Sequence, residues 1–521
     1  MILDFERDYC PAETDIVVIG AGVVGITLAV ELARSGRQVV LCEAGGRTVE
    51  TASLALNEAV VVGRPHAGIS EGRARLLGGT STLWGGQLIA FRDIDFAARP
   101  WLGLDPWPIN GVELAPWYEA ALQPFGLPQY GKDCDAVWER LKLSAPTFGE
   151  DVDFVMTRWL REPNVARHFA ADLKSNPNLT VLVHACAVGF ENDDDKIKAV
   201  TLSSPTGKRG SLAGKVFINA CGTIEANRLM LATAHANPAL PWAGNVWLGR
   251  AFQDHLDLRI ADVEPIDRKR FADTFDNIFL DGFKYTPKVV LSQSAQKMAK
   301  VSNVGGVFLF ESSLSEHLGN VKIFLRALRN GVIPPNLKTL PGHFSALAKV
   351  WWPLVMRYLR DNRAFNPADL GIGLRAHCEQ VPDPDSRITL SSSRVDTHGV
   401  PLAVLDWRVD PTVIDAMAEF GRSVGAALEA KGLARLRIDP RLVSRDQALL
   451  DDTRDTNHHC GGLRMAGSAA EGVVDAQLRV HGTKNLYVAG AAVFPSSSFA
   501  NPTFTAMALA MRLAHHLRLA A

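Results

Sequence analysis

Residues 15–43 read DIVVIGAGVVGITLAVELARSGRQVVLCE, and this stretch decides the fold. Its first part, Asp15–Ile19, is an apolar run rich in β-branched residues, which is typical of a parallel strand buried on both faces. Gly20, Gly22 and Gly25 then form a G-x-G-x-x-G pattern. The first glycine permits a tight bend, the second lets a pyrophosphate approach the backbone, and the third lets the helix pack on the strand. The pattern predicts a dinucleotide-binding turn.

The elements that follow the turn agree with this prediction. Val23–Arg34 carries apolar residues at helical spacing, and Gly36 stands where a left-handed residue commonly ends a helix. A second strand is predicted over Gln38–Cys42, and Glu43 then stands where a carboxylate can accept hydrogen bonds from ribose hydroxyls. Because a carboxylate repels a 2′-phosphate, the adenosine belongs to FAD or NAD and not to NADP. A βαβ unit without a ligand is the alternative.

The composition excludes several classes of protein. The chain has 521 residues and 47% hydrophobic content, enough to fill the cores of two domains. A formal net charge of −1 gives no indication of a nucleic-acid partner. The seven cysteines are scattered without a C-x-x-C pair, so we expect neither a disulfide framework nor a zinc site, and no other metal site is predicted. We see no secretory signal and no transmembrane run, and we expect a cytoplasmic protein. An oligomer is compatible with this composition.

A second glycine-rich stretch, residues 73–87, reads RARLLGGTSTLWGGQ. Its glycines flank small hydroxyl residues and one tryptophan, which indicates a loop that lies against a flat or anionic ligand; a surface turn is the alternative. The order G-G-T-S-x-x-W after a Rossmann unit resembles the flavin-contacting loop of the glucose–methanol–choline (GMC) oxidoreductases. The resemblance assigns FAD contacts to this part of the chain: Gly78, Gly79, Ser81, Thr82 and Trp84.

The same resemblance implies how the flavin is held. Several members of the family attach FAD covalently through a histidine of this loop, and Leu83 stands at that position here. Because a leucine side chain cannot form that bond, we predict FAD that is bound non-covalently.

Residues 178–228 are predicted to form a β-meander that returns to the Rossmann sheet, with strands at Leu179–Val183 and Ala187–Glu191. Gly222 opens the next helix in a segment that resembles the second GMC signature, although Cys221 replaces its usual alanine. By resemblance, the backbone near Val188 contacts the adenine.

A further segment, Gly249–His255, resembles the family's N-L-x-D-H motif, and we interpret His255 as structural.

The C-terminal stretch resembles the family's longest signature. It contains NHHCGGLRMAG from Asn457 and NPTFTAMALA from Asn501. In this register, His458 matches the family's catalytic histidine, and Asn501 matches a second active-site position that is His or Asn across the family. His459 is the rival for the first role, because a register error of one residue would exchange the two histidines.

The chemistry of these side chains supports the same roles. Oxidation of an alcohol requires removal of the hydroxyl proton, and imidazole is the side chain best matched to that transfer at neutral pH. We therefore predict His458 as the base and Asn501 as the residue that orients the substrate. Pro502 and Thr503 begin a helix whose N-terminus can stabilise negative charge on a reduced flavin. Gly490 replaces an aspartate of the family, so a backbone contact is expected there.

Residues 256–450 are predicted to contain mixed sheets and helices. Ile372–Glu379 alternates between apolar and polar residues, so His377 and Glu379 share one face of a predicted strand, from which they could contact substrate hydroxyls or face solvent. Residues 343–360 are amphipathic and aromatic, and we interpret them as a core or lid helix kinked at Pro353; docking on a membrane or a partner is the alternative.

These features together predict an α/β protein with a GMC fold. A Rossmann-like FAD-binding domain, with a parallel sheet and a β-meander, is expected over residues 1–92, 164–256 and 451–521. An α+β substrate-binding domain is expected over residues 93–163 and 257–450.

The resemblance implies an FAD-dependent oxidation of a CH–OH group, with electrons passed to oxygen or another acceptor. The histidine–asparagine pair and the G-G-T-S-x-x-W loop resemble the pyranose-oxidising branches of the family more than its aryl-alcohol branches, and this resemblance implies a sugar, glycoside or polyol as the substrate. An aryl or other non-sugar alcohol, and a non-redox reaction of the hydroxynitrile-lyase type, remain alternatives.

Overall fold

The computed structural model describes residues 1–128, 130, 134, 136–329, 339–348 and 350–519. The strands are, in chain order, β1 (Ile2–Asp4), β2 (Glu13–Ile19), β3 (Val39–Cys42), β4 (Ala59–Val61), β5 (Gln87–Leu88), β6 (Val152–Trp159), β7 (Leu179–Val183), β8 (Cys186–Asp193), β9 (Lys196–Ser203), β10 (Arg209–Asn219), β11 (Arg250–Gln253), β12 (Leu256–Pro265), β13 (Ile278–Leu280), β14 (Phe283–Leu291), β15 (Val304–Glu311), β16 (Gly371–Cys378), β17 (Arg387–Val395), β18 (Pro401–Asp406), β19 (Ala434–Ile438), β20 (Cys460–Gly462) and β21 (Leu486–Val488).

The α-helices lie between these strands and after the last of them. They are α1 (Val23–Arg34), α2 (Thr51–Ala55), α3 (Asp93–Phe96), α4 (Gly111–Leu122), α5 (Ala136–Arg140), α6 (Val165–His168), α7 (Ala170–Ser175), α8 (Thr223–Ala236), α9 (Arg268–Phe275), α10 (Gln293–Ala299), α11 (Leu314–Arg329), α12 (Leu340–Ala348), α13 (Trp351–Asp361), α14 (Thr412–Ala430), α15 (Pro440–Val443) and α16 (Pro502–Leu519).

The first sheet is the predicted Rossmann sheet. Its parallel part runs β1-β7-β3-β2-β10, and β21 pairs in parallel with the C-terminal end of β10. The four last residues of β2, Ile16–Ile19, are buried, as an apolar strand between two parallel neighbours requires. Helix α1 has the predicted bounds, and Gly36 has a φ of 92° after it. The βαβ unit is therefore confirmed.

The meander differs from the prediction in one strand. Strands β8, β9 and β10 form an antiparallel meander at the edge of this sheet. Leu179–Val183 is a strand, as predicted, but it pairs in parallel with β1 and β3 inside the sheet. All of its residues except Thr180 are apolar and buried, which fits a strand between two parallel neighbours better than a strand of a half-exposed hairpin.

The second sheet is antiparallel and has the order β19-β12-β16-β15-β14-β6-β5, with β13 beside β14. Helix α14 packs its apolar face on it, with Met417 and Phe420 fully buried. This combination is the predicted α+β part of the molecule. Strand β5 belongs to the sheet although it lies within the predicted 1–92 segment, and the domain boundaries remain a prediction.

A third sheet, β20-β11-β17-β18-β4, connects distant parts of the chain. In it Gln253 of β11 pairs with Cys460 of β20, and in the antiparallel sheet Leu256 of β12 pairs with Cys378 of β16. Asp254 and His255 lie between these two pairs. The two registers therefore bring residues near 255, 377 and 458 to one place.

The described residues of the aromatic segment 343–360 belong to two helices and not to the one kinked helix that the sequence predicted, and residue 349 lies outside the described residues. α12 ends at Ala348, and α13 begins at Trp351, so Pro353 lies in the first turn of α13, where proline is tolerated. Trp351 and Trp352 are 62% and 69% exposed. No helix within the described ranges is both long and apolar enough to cross a membrane.

Candidate active site

A cavity of about 690 Å³ opens at the carboxyl ends of the parallel strands. Gly20 and Gly22 after β2, Glu43 after β3 and Gly222 after β10 line it. Asn501, directly before α16, lines it as well. Open α/β sheets bind their ligands in the crevice outside the carboxyl ends of the strands.

The turn between β2 and α1 leaves space for a ligand at one position only. A Cβ atom on Gly20 would lie 2.7 Å from the carbonyl oxygen of Ala220, and a Cβ on Gly25 would lie 1.9 Å from the oxygen of Gly20. A Cβ on Gly22, in contrast, would meet nothing within 4 Å. Because Gly22 precedes the first turn of α1, a pyrophosphate there could approach free N–H groups at a helix N-terminus.

Glu43 lies at the wall of the cavity and is almost completely buried. Its two carboxylate oxygens accept hydrogen bonds from the backbone N–H groups of Ala21 and Gly45, each at 3.0 Å. Burial raises the pKa of Glu43, and these backbone bonds oppose the shift. The two bonds also fix the carboxylate beside the glycine turn, where a ribose hydroxyl can reach it.

The glycine-rich loop closes over this turn. Gly78 donates its N–H to the oxygen of Ala21 at 2.9 Å, and a Cβ on Gly79 would lie 2.9 Å from the Cα of Gly22. Leu83 faces the cavity with 59% of its surface exposed. The loop therefore presents backbone, small side chains and leucine to a ligand.

The structure places most of the predicted cofactor-binding residues at the cavity wall: Gly20, Gly22, Glu43, Gly79, Ser81, Trp84, Gly222, Gly490, Pro502 and Thr503. Others lie behind it, namely Gly25, Gly78, Thr82 and Val188, although Cys186 and Ala187 next to Val188 do line the cavity. The glycine cradle, the buried acid beside it and a cavity of about 690 Å³ at the strand ends fit an FAD molecule.

A charged network that the sequence did not reveal lines the same cavity. Arg73 and Arg75 each form an ion pair with Glu225, at 2.6 and 2.7 Å. Arg228 pairs with Asp396 at 2.7 Å and lies 3.4 Å from Glu225. No spacing rule connects these residues, because they come from a loop, a helix and a hairpin that meet only in the folded chain.

His458 and Asn501 meet at the cavity wall. Nδ2 of Asn501 lies 2.8 Å from Nε2 of His458, although the two residues are 43 positions apart. On the other edge of the ring, Nδ1 of His458 lies 3.0 Å from Oγ1 of Thr456, and the Thr456 hydroxyl donates to Oδ1 of Asp254 at 3.0 Å. Burial lowers the pKa of His458 well below its usual value, so the ring is neutral.

Asp254 is the fully buried centre of this wall. Its Oδ1 also accepts the backbone N–H groups of His255, at 2.7 Å, and His458, at 2.9 Å. Its Oδ2 lies 3.1 Å from Nε2 of His66. Although burial alone would raise the pKa of Asp254, the hydrogen bond with His66 and the neighbouring histidines lower it. Asp254 is therefore an anion that holds together the segments around residues 66, 255 and 458.

His377 and Glu379 do not share one role. His377 does not line the cavity, but its Nε2 lies 3.1 Å from Nδ1 of His458, which does. Glu379 lies outside the cavity wall and is fully buried; it forms a bidentate ion pair with Arg99 and accepts the N–H of Ser498 at 3.0 Å. Its oxygens thus have protein partners, which disfavours the predicted substrate contact.

The two remaining histidines also have defined positions. His255, which was interpreted as structural, is buried with Nδ1 3.0 Å from Nδ1 of His458. His459 lines the cavity, burial lowers its pKa to about 4, and within the described residues its Nε2 makes no hydrogen bond. The D-H dipeptide of the family motif was the only sequence signal for His255.

Comparisons with known proteins agree with this geometry. The GMC oxidoreductase family model matches residues 382–510, and the model described as FAD dependent oxidoreductase matches residues 15–275. The 6'''-hydroxyparomomycin C oxidase of Streptomyces lividus is 23% identical over 96% of this chain and 92% of its own. The fructose dehydrogenase large subunit of Gluconobacter japonicus is 21% identical over 96% of this chain and 97% of its own.

A solved structure shows the same fold. A fungal aryl-alcohol oxidase superposes with a TM-score of 0.58 and 15% identity, over 98% of this chain and 100% of that one. The two family models between them span the glycine turn and the histidine–asparagine pair. The chain belongs to the FAD-dependent GMC oxidoreductases.

Proposed function

We propose that this enzyme oxidises a CH–OH group of a sugar, glycoside or polyol, with His458 as the proton acceptor and Asn501 as the orienting residue. The observation that carries the proposal is the pair itself, 2.8 Å apart at the wall of the cavity that also contains the dinucleotide turn. FAD, when bound there, supplies the hydride acceptor. The protein has to position the alcohol and remove its proton.

The hydrogen bonds behind His458 favour the tautomer that this role requires. Thr456 donates its hydroxyl hydrogen to Asp254, so its oxygen is free to accept the hydrogen on Nδ1 of His458. The lone pair is then on Nε2, which faces Asn501 and the cavity. A positioned general base of this kind contributes roughly 10²–10⁴-fold to a rate.

Asn501 can hold the substrate oxygen against this nitrogen. Its amide offers both donors and an acceptor, but it cannot take up a proton at neutral pH. We therefore assign it the placement of the hydroxyl, while His458 receives the proton. Correct placement of reacting groups is worth several kcal/mol in favourable cases.

A sugar-type substrate is supported by the relatives. Two of the relatives that match along almost the whole chain are named 6'''-hydroxyparomomycin C oxidase and fructose dehydrogenase large subunit. An aryl alcohol is the competing substrate class, since an aryl-alcohol oxidase shares the fold.

The test is an anaerobic titration of the purified protein, in EDTA, with sugars, glycosides, polyols and aryl alcohols. We expect the flavin absorbance near ~450 nm to bleach with a member of the sugar group. Rapid recovery of the band in air would identify an oxidase, and slow recovery a dehydrogenase. Bleaching by aryl alcohols alone would overturn the substrate class, and a band that no alcohol bleaches would favour a non-redox reaction.

The proposal includes FAD that is bound non-covalently. Leu83 occupies the loop position at which a covalent link is known in the family, and its side chain has no nucleophile. Denaturation in acid followed by filtration is expected to release all of the flavin into the filtrate. Flavin that stays with the polypeptide would contradict this part.

A further inference from the structure

Three histidine rings meet directly behind the substrate-facing edge of His458. Nδ1 of His255 lies 3.1 Å from Nε2 of His377 and 3.0 Å from Nδ1 of His458. Nε2 of His377 lies 3.1 Å from the same nitrogen of His458. The three nitrogens therefore form a nearly equilateral triangle.

Hydrogen bonds alone cannot satisfy such a triangle. A neutral imidazole has one nitrogen that donates and one that accepts. With three mutual contacts, every assignment of hydrogens leaves at least one pair in which both nitrogens donate or both accept. One edge of the triangle is therefore repulsive in any combination of tautomers.

The surroundings of His255 fix one corner as an acceptor. Its Nε2 lies 3.2 Å from the carbonyl oxygen of Ser497, which can only accept, so Nε2 carries the hydrogen. The lone pair of the neutral ring is then on Nδ1 and points into the triangle. A cation at the centre would accept three such lone pairs at once.

The size of the triangle suits a metal ion. The centre of the triangle, in the plane of the three nitrogens, lies about 1.8 Å from each of them. An ion about 1 Å above this centre would therefore lie about 2.0–2.1 Å from all three nitrogens. That is the distance of a zinc–imidazole bond. Imidazole ligands suit zinc, copper, iron and nickel, and three protein ligands leave a coordination position open.

We propose that His255, His377 and His458 bind a divalent transition-metal ion of the zinc type, and that the bound ion inhibits the enzyme. No local pattern in the sequence indicates this site, because the three ligands are separated by 122 and 81 residues. They meet because β11 pairs with β20 and β12 pairs with β16.

Asp254 supports the site from outside the triangle. It accepts the backbone N–H groups of both His255 and His458 and thereby fixes two of the ligands. Its negative charge, fully buried beside the rings, also favours a cation. Partners that orient the ligands in this way raise metal affinity.

The inhibitory half of the inference rests on the proposed function. An ion on Nδ1 of His458 displaces the hydrogen that Thr456 otherwise accepts. The ring stays neutral, and its one hydrogen moves to Nε2, which then donates and cannot take the proton of an alcohol. Metal binding and base catalysis therefore exclude each other at this ring.

The experiment uses the holoprotein after treatment with EDTA and removal of the chelator. Zinc is added alone, unbound ion is removed, and metal per chain is measured by mass spectrometry. We expect one zinc per chain in the wild type, with three imidazole scatterers at about 2.0–2.1 Å by X-ray absorption. His377→Gln is expected to lower zinc affinity by more than about tenfold, whereas His235→Gln, an exposed histidine of α8, should bind as the wild type does.

Flavin reduction by the responding alcohol is measured on the same samples. One bound zinc per chain is expected to slow the wild type by about 10²-fold or more, whereas His377→Gln, which should retain little zinc after unbound ion is removed, should keep the rate that it has without zinc. No bound zinc, or zinc without imidazole scatterers, would overturn the site, while the proposed function would stand if flavin still bleaches in EDTA. Bound zinc that leaves the rate unchanged or raises it would overturn the inhibition. Zinc bound by three imidazoles in a protein that no alcohol reduces would support the site and remove the proposed function.

Discussion

Two histidine clusters lie on opposite sides of Asp254 and differ in how their nitrogens are satisfied. In the first, which we call the His66 side, Nδ1 of His66 accepts the N–H of Ile69 at 3.1 Å, and Nε2 donates to Asp254. In the second, the triangle of His255, His377 and His458, ring nitrogens face one another. Both nitrogens of His66 therefore have hydrogen-bond partners, whereas the triangle keeps at least one unfavourable nitrogen pair unless a cation binds between the rings. We therefore expect substitution of His66 to change the stability of the protein and substitution of His458 to change the reaction rate.

Substitution of His458 is expected to have the largest effect. His458→Gln removes the base but keeps a polar group, so flavin reduction should slow by roughly 10²–10⁴-fold. Stopped-flow absorbance under anaerobic conditions measures this rate. The matched variant His459→Gln, at the neighbouring position, should keep most of the activity. A larger loss in His459→Gln would reverse the assignment of the two histidines.

Asn501 is the next test, because it faces the same nitrogen from the cavity side. Asn501→Ala is expected to lower kcat/KM by about 10²-fold, since the alcohol loses its orientation. Asn501→His restores a polar group at the same place and should recover part of the loss. Equal values for the alanine variant and the wild type would remove Asn501 from the site.

Thr456 tests the tautomer argument. Thr456→Val keeps the shape and removes the hydroxyl that accepts from Nδ1 of His458, so one hydrogen bond of about 1 kcal/mol no longer selects the reactive tautomer. We expect a rate several-fold below that of the wild type and recovery in Thr456→Ser. If valine and serine variants reduce flavin equally fast, Thr456 does not select the tautomer.

The His66 side should respond in stability and hardly in rate. His66→Gln removes the hydrogen bonds that the two ring nitrogens make with Ile69 and Asp254. The free energy of unfolding is expected to fall by about 1–3 kcal/mol. Denaturant titration of the holoprotein measures the change. A rate loss as large as that of His458→Gln, with unchanged stability, would contradict the division between the two clusters.

The glycine turn and its acid could be predicted from the sequence, whereas the histidine triangle could not. The glycine turn and Glu43 are local features with fixed spacing, so their fold and their place at the cavity followed from the sequence. His458 and Asn501 followed from the resemblance of the C-terminal segment. The triangle did not, because strand registers bring His255 and His377 to His458, and no local pattern encodes those registers.

Glu379 illustrates the opposite error. Alternation along the strand predicted that Glu379 shares a face with His377 and contacts either substrate or solvent, but the side chain is fully buried in a bidentate ion pair with Arg99. A buried carboxylate needs such a partner, and this arginine lies 280 residues earlier in the chain. Strand periodicity cannot reveal such a distant partner, so it left the role of Glu379 open.

Hydride transfer from the alcohol carbon to the flavin is tested most directly by the rate of anaerobic flavin reduction with the responding sugar, compared with the same sugar deuterated on the carbon that carries the reacting hydroxyl. We expect complete bleaching with both substrates and a severalfold slower rate for the deuterated one, because that carbon gives up its hydride to the flavin. Bleaching at equal rates would place the bond cleavage elsewhere. Failure of every sugar, glycoside and polyol to bleach the flavin would contradict the account.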